Sequence, residues 1–196
     1  MSEILWTPSN EDLSQSQMAL FKQALASSFN INLPDYAAMH EWSCQNPDAF
    51  WGFLADYLKL VPSGSYSNVR SQEQMPGVRW FEEASLNYAQ TCLQFNDDQT
   101  AIINANEAGE INRSSYAELR EKVRRCQAWF VEQNIQKGDR VAAVVSNTED
   151  TIVTFLATTA LGAIWTSCSP DFGINGVIDR FGQIEPKVLF ACNGYY

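Results

Sequence analysis

The chain holds a single histidine, His40, and no two cysteines spaced as C-x-x-C. Any Ser–His–Asp triad would have to use His40. It lies between Met39 and Glu41 in an amphipathic stretch, the setting of a helix-surface residue rather than a general base. Both scarcities exclude a zinc centre, which draws on clustered Cys and His ligands. Also missing are the G-x-x-x-x-G-K-[ST] phosphate loop, the G-x-G-x-x-G fingerprint and the G-x-S-x-G nucleophile elbow. No carboxylate couple of the glycosidase kind stands out, since Glu82–Glu83 and Asp97–Asp98 read as solvated loop charge. The residues by themselves therefore nominate no catalytic group and no metal site.

Basic residues are scarce as well. Lys+Arg number 13 against 23 Asp+Glu, a net charge of −10. Such a chain repels nucleic-acid backbones and anionic membrane surfaces, so neither is expected as a partner. A nucleotide remains admissible, because backbone N–H groups can hold an anion locally. The N-terminus "MSEILWTPSNEDLSQ" has no basic region and no long apolar run, which excludes a signal peptide. The most apolar window, "TIVTFLATTALGAIWTSC", is broken by Thr, Ser and Gly162, which fits alternating helix and strand better than a membrane span. The five cysteines are odd in number and widely spaced, and read as reduced core residues of a cytoplasmic protein.

What is present is apolar and aromatic: 45% hydrophobic and 12% aromatic residues, enough for a packed core. The first third predicts helices. "EDLSQSQMALFKQALASSF" sets Leu13, Met18, Phe21, Leu25 and Phe29 at helical spacing, and "PDYAAMHEWSC" follows with Tyr36, Met39 and Trp42. In "NPDAFWGFLADYL", Asn46 is the expected cap, Pro47 the first helical residue, and Phe50, Leu54, Tyr57 and Leu58 the buried face. Residues 62–76 lack periodicity and predict an irregular connection, followed by a short helix around Leu86 to Phe95.

The second half is more regular. Thr100–Asn104 and the stretch from Ile111 predict a hairpin around "NEAGE". Ser115 with Glu118 is a capping box, and the helix after it buries Leu119, Val123, Cys126 and Phe130. Val141–Val145 reads as a strand covered on both faces. "TEDTIVTFLATTALG" predicts a helix, "AIWTSCS" a strand, "INGVIDRFGQIE" a helix and "KVLFAC" a third strand. This alternation implies parallel pairing through right-handed crossovers. The expected fold class is α/β: a helical N-terminal region followed by the start of a parallel, doubly wound sheet. Such a sheet normally carries more strands, so the chain is expected to be cut short after Tyr196.

Several stretches together resemble the acyl-adenylate-forming enzymes. "SYAEL", "KGDRVA", Asn147 ahead of an acidic helix, and "LATTALGAI" follow the opening pattern of that superfamily. "DYAAMHEWSCQNPDAFW" and "RWFEEASLNYAQ" are similar to the N-terminal extension of its acetyl-CoA synthetase branch, and "IWTSCSPDFGINGVIDRFGQIEPKVLFACNGY" resembles the acetoacetate–CoA ligases. The resemblance implies residues 1–98 as that extension and residues 99–196 as the beginning of the AMP-binding domain. It implies a cytoplasmic enzyme of lipid and ketone-body metabolism that uses ATP, CoA and Mg²⁺ and takes acetoacetate as substrate. The phosphate loop, ribose-binding Asp and late catalytic lysine of such enzymes are absent from this chain. The chain is therefore expected to be an inactive segment whose partner is the remainder of the polypeptide, or which self-associates.

The resemblance offers one ligand contact. "SPDFG" follows a strand where related enzymes line the CoA channel, making Asp171, Phe172 and Gly173 the candidate cofactor-binding residues, although Asp171 stands where that branch has glycine. The plainer alternative is a turn in which Asp171 caps the next helix and Phe172 joins the core, with Arg180 paired to an acidic neighbour. Three other readings stay open: a ligase for another short acyl group, a non-catalytic interaction module, and a nucleotide-binding domain acting alone.

Overall fold

The structure, a computed structural model, describes residues 4–60 and 65–194. The chain forms two compact units, Met1–Ser85 and Leu86–Tyr196.

The first unit contains helices α1 (Asn10–Gln15), α2 (Gln17–Phe29), α3 (Tyr36–Gln45) and α4 (Pro47–Tyr57). The single helix expected over 11–29 is two, because Ser16 is extended and caps the second: its Oγ accepts from Ala19 N at 3.1 Å and donates to Leu13 O at 2.9 Å. The break takes Leu13 and Met18 out of the core, at 53% and 51% exposure, and leaves Phe21 and Leu25 inside it. Leu33 and Met39 complete that core, with Phe50, Phe53, Leu54 and Tyr57 packed on it. Phe21 meets Phe50 and Tyr57 edge-on at centroid distances of 5.8 and 5.1 Å, the arrangement the ring quadrupoles favour. Leu58, expected here, is 48% exposed, and Phe53 takes its place. Pro47 opens α4 as expected, but Asn46 does not cap it; its Nδ2 donates back to Trp42 O at 3.1 Å and so closes α3.

Of the irregular stretch 62–76, Pro62, Ser63 and Gly64 lie outside the described residues. The rest is tied down by an antiparallel bridge between Arg70 and Trp80, with Ser71 N donating to Arg79 O and Phe81 N to Val69 O.

The second unit contains α5 (Tyr88–Cys92), the hairpin β1 (Thr100–Ala105) and β2 (Ile111–Ser115), then α6 (Tyr116–Glu132), β3 (Arg140–Val144), α7 (Glu149–Ala160), β4 (Ile164–Cys168), α8 (Ile174–Gly182) and β5 (Val188–Ala191). The expected mixed helix-and-strand class with a parallel sheet is what the chain forms. The division between the compact units falls between Ser85 and Leu86, and α5 packs on α7 within the second unit.

The capping box forms as read: Ser115 N donates to Glu118 Oε2 at 2.8 Å and Glu118 N to Ser115 Oγ at 3.3 Å. Leu119, Val123 and Phe130 of α6 are buried, while Cys126 is only half-buried. None of the five cysteines is paired, and none is a fully buried core residue; Cys44 is exposed and the other four are half-buried.

The parallel sheet has the order β4-β3-β5, with Val141 opposite both Trp165 and Val188. The steps β3→β4 and β4→β5 run in opposite directions across the sheet, so right-handed crossovers carry α7 and α8 over opposite faces. β3 is thereby covered on both sides, and Val141, Ala142 and Ala143 are fully buried, as the apolar run predicts. Gly162 turns α7 back into β4 at φ +71°, where a side chain is strained and a Cβ would also crowd Lys137.

The "KGDR" stretch is a fastening. Asp139 Oδ2 accepts from Gln136 N at 2.7 Å and from Lys187 Nζ at 2.6 Å, and Arg140 donates to the carbonyls of Ile184 and Glu185. Together they lock the starts of β3 and β5 side by side.

Asn87 plays a double part. Its Oδ1 accepts from Gln90 N and caps α5, while its Nδ2 donates to Thr159 O at 3.2 Å and Ala160 O at 3.1 Å at the end of α7. Asn87→Ala removes both functions and is expected to cost about 2 kcal/mol. Asn87→Asp keeps the cap acceptor but sets an anion against the carbonyl end of α7, and is expected to cost at least as much. Urea unfolding of both variants checks this; an Asp variant clearly milder than Ala contradicts it.

Candidate functional site

In an open parallel sheet, ligands gather beyond the carboxyl ends of the strands. Here those ends open into a cleft of about 470 Å³. β3 leads into it with Ser146 and Asn147, β4 with Ser169 and Pro170, and the hairpin borders it with Asn104 and Asn106. A smaller hollow of about 190 Å³ shares Ser146 and Thr148 with it. Among the described residues, no side chain lining the larger cleft is charged. Amides and hydroxyls can donate and accept hydrogen bonds, but they do not exchange protons near neutral pH. The cleft can hold and orient a polar group; among the described residues its lining offers hydroxyls but no acid or base to activate them.

The floor of the cleft is built by the start of α7. Thr148 is the N-cap residue, extended at φ −121° and ψ 169°, yet its side chain makes no cap bond. Thr151 Oγ1 instead donates to Ser146 O at 2.7 Å, which pins the β3–α7 connection. Glu149, the first residue of α7, lies 2.7 Å from Lys122 Nζ of α6, and Lys122 also donates to the buried Ser114 of β2 at 3.3 Å. Burial pushes the Glu149 carboxyl up, but the neighbouring Lys122 ammonium and Ser114 hydroxyl outweigh it, and the net shift is downward. This cluster joins hairpin, α6 and α7 behind the cleft.

The "SPDFG" loop is a β-turn. Phe172 N donates to Ser169 O at 3.1 Å, and Pro170 occupies the second position, where its fixed φ is suited. Ser169 Oγ donates to Asp171 Oδ2 at 2.8 Å, and the N-cap position belongs to Gly173, which has no side chain to offer. Phe172 is 39% exposed and does not join the core. Arg180, one turn and a half along α8, lies over its ring, Cζ 4.2 Å from the centroid, so its partner is an aromatic face rather than the expected acid. A Cβ added at Gly173 would meet nothing within 4 Å, so no atom of this chain requires glycine there. The loop gives Ser169 and Pro170 to the cleft, whereas Asp171, Phe172 and Gly173 are not among its lining residues. Asn104, Asn106, Ser146 and Thr148 escaped the sequence reading. Their only signal is position, at or just beyond the ends of strands, since each is an ordinary polar residue by type.

A family model described as "AMP-binding enzyme" matches residues 89–195, and one described as "Acetyl-coenzyme A synthetase N-terminus" matches residues 36–92. The chain belongs to the AMP-binding enzyme family. Among relatives of this AMP-binding enzyme chain, the acetoacetyl-coenzyme A synthetase of Rhizobium meliloti (strain 1021) is 40% identical over 98% of this chain and 30% of its own length. The malonamoyl-CoA synthetase vrtB of Penicillium aethiopicum is 38% identical over 97% of this chain and 27% of its own. The solved structure of an acetoacetyl-CoA synthetase from Streptomyces lividans superposes with a TM-score of 0.87 at 35% identity, covering 97% of this chain and 30% of that one. The chain thus spans about 30% of the length of such relatives.

The Glu149 cluster predicts an acid-sensitive fold. Its folded pKa lies below the ordinary 4.5, so its contribution is present above that value and is lost as pH falls through the folded pKa. Glu149→Gln should therefore be less stable than the parent at neutral pH, and the gap should close on acidification. Unfolding midpoints measured at several pH values check this; a gap independent of pH contradicts it.

Proposed function

We propose that this chain is the N-terminal segment of an ATP-dependent acetoacetate–CoA ligase. Residues 1–98 are assigned to the extension typical of acetyl-CoA synthetases and residues 99–196 to the beginning of the AMP-binding domain. The observation that carries the proposal is the match to acetoacetyl-coenzyme A synthetase along 98% of the chain at 40% identity. In the ligase reaction, ATP and acetoacetate give acetoacetyl-AMP and pyrophosphate; the CoA thiol then displaces AMP to give acetoacetyl-CoA. A specific observation favours a second reading, a ligase for another short acyl group: the malonamoyl-CoA synthetase is nearly as similar, at 38% identity.

The role assigned to this segment is scaffold. Its cleft is lined by neutral polar side chains, which supports binding rather than bond-making. Among the described residues no group of three or more His, Cys, Asp or Glu could hold a metal ion. The apolar side chains of Ile164, Ile174, Ile178 and Leu189 stand exposed on β4, α8 and β5, which supports the remainder of the polypeptide, or a second copy in its absence, as the partner. The unpaired cysteines support a reducing, cytoplasmic setting.

The 196-residue chain by itself is expected to give no acetoacetate-dependent ATP–pyrophosphate exchange above background. Exchange clearly above background would overturn the scaffold role.

Asp171, Phe172 and Gly173 are assigned to the border of the CoA channel in the intact ligase. The exposed Phe172 ring, the open space beside Gly173 and the guanidinium of Arg180 support that assignment. CoA acts only after acyl-AMP has formed, so a CoA contact assists the second half-reaction alone. Phe172→Ala in the intact enzyme should spare adenylation and raise the KM for CoA about tenfold, the equivalent of ~1.4 kcal/mol. Equal loss in both half-reactions, together with a large fall in melting temperature, would leave Phe172 as packing.

A further inference from the structure

The sequence contains two Asn-Gly steps, Asn175–Gly176 and Asn193–Gly194. A glycine after asparagine leaves the following backbone nitrogen open to the asparagine side chain, because no Cβ stands in the way. The fold treats the two steps differently. Asn175–Gly176 lies inside α8, where Gly176 N donates to Gly173 O at 2.9 Å. That nitrogen can reach the Asn175 amide only when the helix opens. Asn193–Gly194 lies beyond β5, past the ladder bond from Cys192 N to Val144 O at 3.0 Å. Both of its residues are exposed, and among the described residues Gly194 N has no hydrogen-bond partner. A Cβ built at Gly194 meets no described atom within 4 Å, so the space around this step is open. We propose that Asn193 is a site of spontaneous deamidation, with water as the co-reactant, and that α8 protects Asn175 from the same reaction.

The reaction is balanced by water alone. Gly194 N attacks Cγ of Asn193. The N–Cγ bond forms, the Cγ–Nδ2 bond breaks, and ammonia leaves with the proton that Gly194 N gives up. The result is a five-membered succinimide. Water then opens the ring. Addition at Cγ gives aspartate at position 193; addition at the main-chain carbonyl gives isoaspartate, with the chain running through Cγ. The product matters because of its place. Gly194 lines the cleft at the carboxyl ends of the strands, where the side chains of the described lining residues are uncharged. Deamidation sets a carboxylate beside that lining, and isoaspartate also adds a methylene to the main chain there. A neutral rim becomes an anionic one, which disfavours an anionic ligand at short range.

The test incubates the full chain under native conditions near neutral pH and follows it by tryptic peptide mass mapping. Cleavage after Arg180 and Lys187 puts the two Asn-Gly steps on separate peptides. The peptide after Lys187 is expected to gain the mass of an amide-to-acid change at least about tenfold faster than the peptide that holds Asn175. In guanidinium chloride, where α8 is unfolded, the two rates should become comparable. Isoaspartate should form alongside aspartate, as opening of a succinimide requires. Asn193→Gln, whose side chain would have to close a six-membered ring, should stay unmodified over the same period, with a melting curve that matches the parent. Asn175 changing as fast as Asn193 in the folded chain, a difference in rate that persists in denaturant, aspartate without isoaspartate, or the same mass gain in Asn193→Gln would each overturn the proposal.

Discussion

Strand β3 leaves no part of Val141, Ala142 or Ala143 exposed, and it is paired on both edges. Its N–H and C=O groups therefore have β4 and β5 as partners instead of water, and a buried backbone group without a partner is costly. That constraint orders the second unit. It requires a neighbour on each edge and cover on each face, and Val141, Ala142 and Ala143 are buried accordingly. The fastening at the amino end, Asp139 with Lys187 and Arg140 with the Ile184 and Glu185 carbonyls, then fixes β5 in register.

The same arrangement decides where a ligand can sit. Fastened at their amino ends, the strands all release their loops at the other end, and there Ser146, Asn147 and Ser169 meet Asn104 and Asn106 of the hairpin. The hairpin belongs to this site because β2 runs directly into the capping box of α6, and α6 is braced to α7 through Lys122 and Glu149. The cleft is therefore shaped by interactions that lie behind it.

Elements with strong local signals were legible in the sequence. The Ser115–Glu118 box, the uninterrupted run at β3 and the acidic start of α7 each carry their own physical warrant, and each folds as read. Misreadings arose where two local preferences competed. At Ser16 helical spacing of apolar residues met a residue that caps, and the cap prevailed. Asn46 was read as facing the following helix, but its amide turns back to the preceding one. Strand order was not legible at all, because it depends on which edges pair rather than on the composition of any strand. The cleft was invisible for the same reason: its residues are far apart in sequence, and the parallel sheet and the braced hairpin together bring them to one place.

The neutral lining of that cleft has a consequence for salt. Its hydrogen bonds are made by amides and hydroxyls, so holding a ligand there releases no counterions and is little affected by screening. The chain as a whole carries −10, which repels an anionic ligand at a distance and does so most strongly at low ionic strength. Arrival and residence are thus governed by different forces. Added salt quickens the approach of an anion and leaves the grip of the cleft almost untouched.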